Sequence, residues 1–362
     1  MGDRIIVGIS GGVDSSVTAL LLQRQGYDVE CVFMKNWEGD EDEFCTAEED
    51  YKDALAVCNH LGLPLRSVSF SQEYWDTVFK YFIDEYKRGR TPNPDVLCNR
   101  EVKFKAFMDY ALELGAEKIA TGHYSIIDES NGGFKLLKGL DPGKDQSYFL
   151  YLLGQDALSK SMFPIGEIEK IDVRKLAEES GLVNHAKKDS TGVCFIGEQK
   201  FFKEFLKKYI PTNPGLIETT DGKECGKHDG LMYYTMGQRK GLGIGGGYGK
   251  QEAPWFVAEK DLDRNVLIVA QGHSHSSLYH KQLMADQVHW INGSVPENLS
   301  RISAKIRYRQ ADQICEIIEL SVNRCTVRFD KPQFAITPGQ SIVFYHGNEC
   351  LGGAVIENRS FH

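Results

Sequence analysis

The 362-residue chain reads as an α/β doubly wound parallel-sheet domain, followed by a small β-rich central domain and a C-terminal β-barrel. Three observations predict this. Apolar, β-branched runs alternate with helical stretches over the first ~130 residues. The cluster Ile210-Pro211-Thr212-Asn213-Pro214-Gly215 then breaks that pattern. Beyond it, short apolar runs alternate with turn clusters, as in small barrels and sandwiches. Domain limits are accordingly placed at 1–209, 210–280 and 281–362.

Ile5-Ile6-Val7-Gly8-Ile9 is the first strand, and Ser16-Val17-Thr18-Ala19-Leu20-Leu21-Leu22 the body of a helix that stops at Gly26. Further strands are expected at 29–34, 65–70 and 118–124, with helices at about 47–62, 73–88 and 100–114 between them. Helices are expected to continue through 155–180 and 198–209. In a sheet of this type ligands sit beyond the carboxyl ends of the strands, which brings Met34 and Gly122 beside the first strand–helix turn. Residues 38–53 hold nine acids against one lysine and read as a solvated loop and helix start. The stretch from Gly237 to Gly249 has seven glycines around Gln238-Arg239-Lys240 and reads as a mobile basic loop.

Composition narrows the function. A net charge of −9 excludes nucleic-acid binding by bulk charge alone, although residues 281–362 carry nine basic and eight acidic side chains against that trend. No segment approaches the ~18 consecutive apolar residues of a membrane span, and the chain enters a strand at once, so a soluble cytoplasmic protein is expected. Nine cysteines, with no C-x-x-C, exclude the usual zinc and iron–sulfur spacings and a full disulfide framework.

Ser10-Gly11-Gly12-Val13-Asp14-Ser15 joins the first strand to its helix. Glycines there let the backbone approach an anion, the helix N-terminus offers unpaired N–H groups, and Ser10, Ser15 and Ser16 offer hydroxyls. Asp14 offers an oxygen ligand for Mg²⁺. Neither Gly-Lys-Ser/Thr nor Gly-x-Gly-x-x-Gly is present. Cys98, after Thr91-Pro92-Asn93-Pro94-Asp95-Val96-Leu97, is expected just ahead of a helix, where the dipole, Arg100 and Lys103 favour its thiolate. Asp95 is close enough to move a proton. Cys194, between Gly192 and Gly197, has apolar neighbours and reads equally as a buried structural cysteine. Arg301, Ser303, Lys305, Arg307 and Arg309 alternate along a predicted strand, so they share a face suited to phosphates, or a merely solvated one.

The loop resembles that of the ATP pyrophosphatases (HUP, pyrophosphate-loop fold), which cleave ATP between the α and β phosphates. Together with Met34-Lys35-Asn36-Trp37, the Thr91–Asn99 block, Gly122-His123-Tyr124, Lys144–Leu150, Asp189–Gly197, Thr235–Gly243 and Thr337-Pro338-Gly339-Gln340, it makes the whole chain similar to the bacterial tRNA-specific 2-thiouridylase family. The resemblance implies ATP binding by Gly8, Ile9, Ser10, Gly11, Gly12, Val13, Asp14, Ser15, Met34 and Gly122, with Mg²⁺ at Asp14. It implies that Asn93, Pro94 and Asp95 hold the target base, and that His123, Lys144, Asp145, Gln146, Arg307, Tyr308 and Gln340 meet tRNA. Cys194 would carry sulfur as a persulfide and Cys98 would be the second thiol, with Asp95 managing protons. The implied partners are tRNA, a sulfur-donor protein (cysteine desulfurase or sulfur relay) and a disulfide reductant. Two other readings are an adenylating ligase or amidotransferase with the same loop, and a non-catalytic RNA-binding protein.

Overall fold

The computed structural model describes residues 2–37, 47–130, 132–189, 202–244, 253–297, 299 and 302–360. Cys194, Arg301, the stretch 38–46 of the acidic run and Gly245–Gly249 of the glycine-rich stretch lie outside them.

Strands β1 (Arg4–Ile9), β2 (Asp28–Lys35) and β3 (Leu65–Ser69) follow the sequence expectation closely, whereas β4 (Lys118–Ala120) is shorter than the expected 118–124 because the chain leaves the sheet at Thr121 to run over the loop after β1. All pair in parallel. The strand alternation splits the core in two: Ile5, Val7 and Ile9 face one cluster with Val17 and Val57, while Ile6 faces another with Phe79 and Phe107. Both faces are therefore covered, which is why the β1 residues from Ile5 to Ile9 are all buried.

After β4 the structure departs from expectation. Ser125–Ser130 (β5) and Gly133–Lys138 (β6) form an antiparallel hairpin. Residues 155–180 are not one helical run: a short helix, Gln155–Ser159, gives way to Ser161–Met162 (β7), and helix Lys170–Glu179 follows. β7 pairs in parallel with β4 and completes a five-stranded sheet of order β3-β2-β1-β4-β7.

The rest is β-rich. Gly215–Thr219 (β8), Glu224–His228 (β9), Trp255–Asp261 (β10) and Val266–Gln271 (β11) form one sheet, β10-β11-β8-β9. Tyr279–Trp290 (β12), Ile302–Lys305 (β13), Gln313–Leu320 (β14), Arg324–Phe334 (β15), Ser341–His346 (β16) and Glu349–Ser360 (β17) run β12-β15-β14-β13-β16-β17, and β12 pairs back onto β17 to close a six-stranded barrel. Closure removes open edges. The hairpin β5–β6 pairs with the start of β17, Leu136 opposite Cys350, so the first domain is stitched to the barrel's sheet.

The expected basic strand face does not form. β13 ends at Lys305, and residues 306–309 turn away. Lys305 is buried and paired with Asp145 at 3.1 Å, and Arg307 donates to the carbonyls of Met236 at 3.1 Å and Ala335 at 2.9 Å. Of the three described cations, Arg309 is exposed. The alternation continues past the end of the strand, and Lys305 and Arg307 are taken up by the first and central domains rather than by water.

Candidate active site

The turn after β1 is shaped by its own hydrogen bonds. Ser15 and Ser16 hydroxyls donate to the Gly12 carbonyl at 3.2 and 2.9 Å, and the Ser10 N–H donates to Ser15 Oγ at 3.1 Å. Ser15 and Ser16 are thus buried braces, while Ser10 is exposed. Ile9 and Val13 are core side chains and can offer a ligand only backbone. Asn184, buried, donates to the Gly11 carbonyl at 2.9 Å and to Ser16 Oγ at 3.0 Å, fixing the loop from outside. Nothing in the local sequence pointed to it.

Two glycines are required by close approach. Gly11 has φ +73°, and a Cβ there would lie 2.2 Å from the Asp50 carbonyl oxygen. A Cβ on Gly122 would lie 2.7 Å from the Ser15 nitrogen and 2.8 Å from the Asp14 carbonyl carbon. The loop after β4 therefore presses on the helix N-terminus, as expected for Gly122. The Met34 methyl lies 3.1 Å, and a Phe107 ring carbon 3.2 Å, from where a Gly8 Cβ would stand.

Asp14 is the charged centre of the loop. Its Oδ1 accepts from Tyr124 Oη at 2.7 Å, and Lys170 Nζ donates to Oδ1 and Oδ2 at 2.7 and 2.8 Å. Lys170 also reaches Asp189 at 2.7 Å, and Asp189 pairs further with Arg174 at 2.7 Å and Lys144 at 2.6 Å. Burial alone would raise the Asp189 carboxyl, but its bonds to Lys144 and Lys170 outweigh that and hold it at about 2. Burial, and then Asp14, push the Tyr124 phenol well above its ordinary value, so it stays a donor. A divalent cation taken with a nucleotide typically uses one or two carboxylates plus phosphate oxygens. Asp14 fits that donor set once the ammonium moves, whereas Asp189 stays paired with its cations.

The cysteine-bearing segment differs from expectation in one respect. The helix starts at Pro94, with Asn93 as N-cap, so Cys98 lies a full turn inside it and not at its N-terminus. From Cys98 to Ala106 the helix is wound wide, as a π-helix, and Phe104 has non-helical angles of φ −106° and ψ 16°. Such widened turns recur at functional sites. Cys98 is 5% exposed. Burial raises the Asp95 carboxyl, with the Lys103 charge opposing it. Burial also holds His123 well below its ordinary value, and Lys103 pushes the same way. Asp95 is thereby poised to hold a proton nearer neutrality than a surface carboxylate does.

The residues expected to meet tRNA make bonds within the protein. His123 is buried between Phe104 and Phe163, each 5.7 Å away, with Nδ1 2.7 Å from Thr121 Oγ1. Asp145 is buried and accepts from the Gly139 and Ser147 N–H groups and from Lys305. Gln146 holds the Tyr124 N–H through its Oε1 at 3.0 Å. Gln340 Nε2 donates to the carbonyls of Thr91 and Pro92 at 2.8 and 3.1 Å, so the barrel clamps the approach to Asn93-Pro94-Asp95. Tyr308 donates to the Lys144 carbonyl at 3.3 Å, and its ring lies 4.4 Å from that of Phe149. Beside Asn93, a cleft of about 600 Å³ opens along the seam, lined also by Val96, Leu97, Arg100, His289 and Arg324.

A glycine-rich anion loop at the end of the first strand, on a parallel sheet joined to two β-modules, defines a HUP-domain, pyrophosphate-loop protein. Residues 3–198 match the family described as tRNA methyl transferase HUP domain, residues 203–271 its PRC-barrel domain, and residues 280–356 the aminomethyltransferase beta-barrel domain. Full-length relatives are named differently. A tRNA-specific 2-thiouridylase MnmA of Hydrogenovibrio crunogenus is 59% identical over 358 residues, 98% of this chain and 94% of that one. One of Pseudomonas paraeruginosa is 57% identical over 356 residues (98% and 94%), and one of Methylococcus capsulatus 56% identical over 360 residues (99% and 97%). The chain belongs to the MnmA family of tRNA-specific 2-thiouridylases.

Proposed function

We propose that this chain replaces the C2 oxygen of the wobble uridine of tRNA (Lys, Glu and Gln acceptors) with sulfur, consuming ATP to AMP and pyrophosphate. The observation that carries this reading is the placement of Asp14 and Gly122 at one anion loop in a chain whose full-length relatives are named 2-thiouridylases. The wobble base must leave its stack to reach the site, as bases do for enzymes that act on them.

The uridine C2 oxygen is a poor leaving group, so it first attacks the α-phosphorus of ATP and pyrophosphate departs. Loop N–H groups offset the charge that develops on the phosphates. Mg²⁺, held by Asp14 with the nucleotide's own oxygens, would supply Lewis-acid neutralisation there. A persulfide on Cys194 then provides sulfur to C2, directly or after release as sulfide, and AMP leaves with the original oxygen. In the direct route the Cys98 thiolate attacks Cys194 Sγ, the S–S bond to the new thiocarbonyl sulfur breaks, and a Cys98–Cys194 disulfide remains. An external dithiol returns two electrons and two protons. Asp95, beside Cys98 on the same helix, holds and releases the proton.

The domain limits at 210 and 281 and a cytoplasmic setting belong to the same proposal; among the described residues no helix is long and apolar enough to cross a membrane. The test is ATP turnover stimulated by tRNA. AMP and pyrophosphate as products support the reading, whereas ADP and phosphate would sink it. An amide-forming ligase on the same loop would keep its activity after loss of both Cys98 and Cys194.

A further inference from the structure

Lys170 carries no local sequence signature, yet its ammonium bridges two carboxylates at the nucleotide loop. Its residue is 7% exposed, and its ammonium touches both oxygens of Asp14 and one of Asp189. Its backbone N–H is anchored on Asp141 Oδ2 at 3.1 Å, and the ammonium lies 5.7 Å from the centre of the Tyr124 ring. The two carboxylates are not equivalent. Asp189 has Lys144 and Arg174 besides Lys170. Among the described residues Asp14 has no cation other than Lys170. Without this ammonium Asp189 still has two cations, whereas Asp14 is left as a carboxylate at the nucleotide loop with a charge to be met.

We propose that Lys170 is a positioning residue of the nucleotide site, neutralising Asp14 between turnovers and yielding it to the divalent cation that arrives with the nucleotide. Once Asp14 is taken, three cations share Asp189. The surplus positive charge then lies beside the loop, where it attracts the nucleotide's β and γ phosphates. Nucleotide and metal thereby bind as one unit, because metal alone must displace a buried ammonium that has no phosphate to turn to. This rests on the reading of Ser10–Ser15 as an ATP loop.

The experiment is Mn²⁺ binding followed by electron paramagnetic resonance, with and without α,β-methylene-ATP, on the full chain. Wild type should bind Mn²⁺ weakly alone and at least tenfold more tightly with the analogue. Lys170→Met should bind Mn²⁺ alone at least tenfold more tightly than wild type, and should lose affinity for the analogue in EDTA. Lys170→Arg should restore the wild-type pattern, which a purely structural role for the side chain does not demand. Equal Mn²⁺ affinity in wild type and Lys170→Met, with the analogue still bound by both, overturns the proposal and leaves the ATP loop standing. Wild type that binds no analogue under any condition overturns the ATP reading itself. If Lys170→Met does not fold, Lys170→Gln takes its place; if neither folds, the ammonium is an obligate structural ion pair and the exchange is refuted.

Discussion

Replacing Gly122 by alanine isolates the contact between the loop after β4 and the nucleotide loop. Gly122 has no positive φ to protect, so the added methyl acts by volume alone. It would stand 2.7 Å from the Ser15 nitrogen and 2.8 Å from the Asp14 carbonyl carbon, both backbone atoms that cannot rotate away. Restoring an ordinary contact of about 3.5 Å requires the two backbones to part by roughly 0.7 Å. Overpacking of this kind costs about 1–3 kcal/mol of stability. A displacement approaching 1 Å at a reacting centre can cost about 10²-fold in rate. Gly122→Ala should therefore fold with a lowered Tm and form AMP from ATP and tRNA some tens-fold to a hundredfold more slowly. Binding of tRNA, measured by filter retention, should be unchanged. Wild-type adenylation kinetics in Gly122→Ala would refute the placement of the anion at this seam.

Other expectations follow from the same geometry. Cys98→Ser and Cys194→Ser should each abolish thiolation, and the double variant should be no worse than either, since the thiols act as one relay; wild-type thiolation by Cys194→Ser with a persulfide donor would return Cys194 to the core. Gln340→Ala loses two hydrogen bonds to the Thr91–Pro92 backbone and should destabilise by about 1–2 kcal/mol. If Gln340 acts through that clamp, the salt dependence of tRNA affinity will not change. Arg309→Ala, at the exposed cation, should flatten log affinity against log salt by about 0.7–0.9 if it meets a phosphate. Arg307→Ala should instead lower Tm, because its guanidinium joins Met236 to Ala335. Lys260 is buried, which pulls its ammonium down to about 7, and it donates to the Gly89 carbonyl at 2.7 Å. Between pH 7 and the unfolded value near 10.5 the unfolded chain binds the extra proton, so stability should rise with pH across that window. Denaturant midpoints for Lys260→Met should lose that rise.

The sheet was legible because parallel strands buried on both faces give unbroken apolar runs, and β1 to β4 fall where those runs stand. The hairpin β5–β6 was missed although Asn131-Gly132 separates its strands, the usual signal of a tight hairpin turn. Its strands carry charged and polar residues, and their partner β17 lies over two hundred residues away. β7, two residues long, has no sequence signature at all. Within the site, Asp14, Gly11 and Gly122 were readable because a glycine that meets backbone leaves a local mark. Lys170 and Asn184 touch the loop from more than a hundred residues downstream, and nothing near either marks that contact. The strand face expected through Lys305 and Arg307 failed for another reason: alternation reports neither where a strand ends nor whether a second domain covers the side chains beyond it. Cys98 was placed too near a helix end because Pro92 and Pro94 suggested a longer approach, whereas Pro94 is the first helical residue.

By the proposed reaction this chain exchanges oxygen for sulfur on a tRNA uridine by way of an adenylate. Mass analysis of nucleosides from tRNA incubated with the protein, ATP, Mg²⁺ and a sulfide source tests it most directly. The expected result is 2-thiouridine at the wobble position, formed only with ATP and matched by an equal amount of AMP. Unmodified uridine alongside AMP release, or 2-thiouridine formed without ATP, would contradict it.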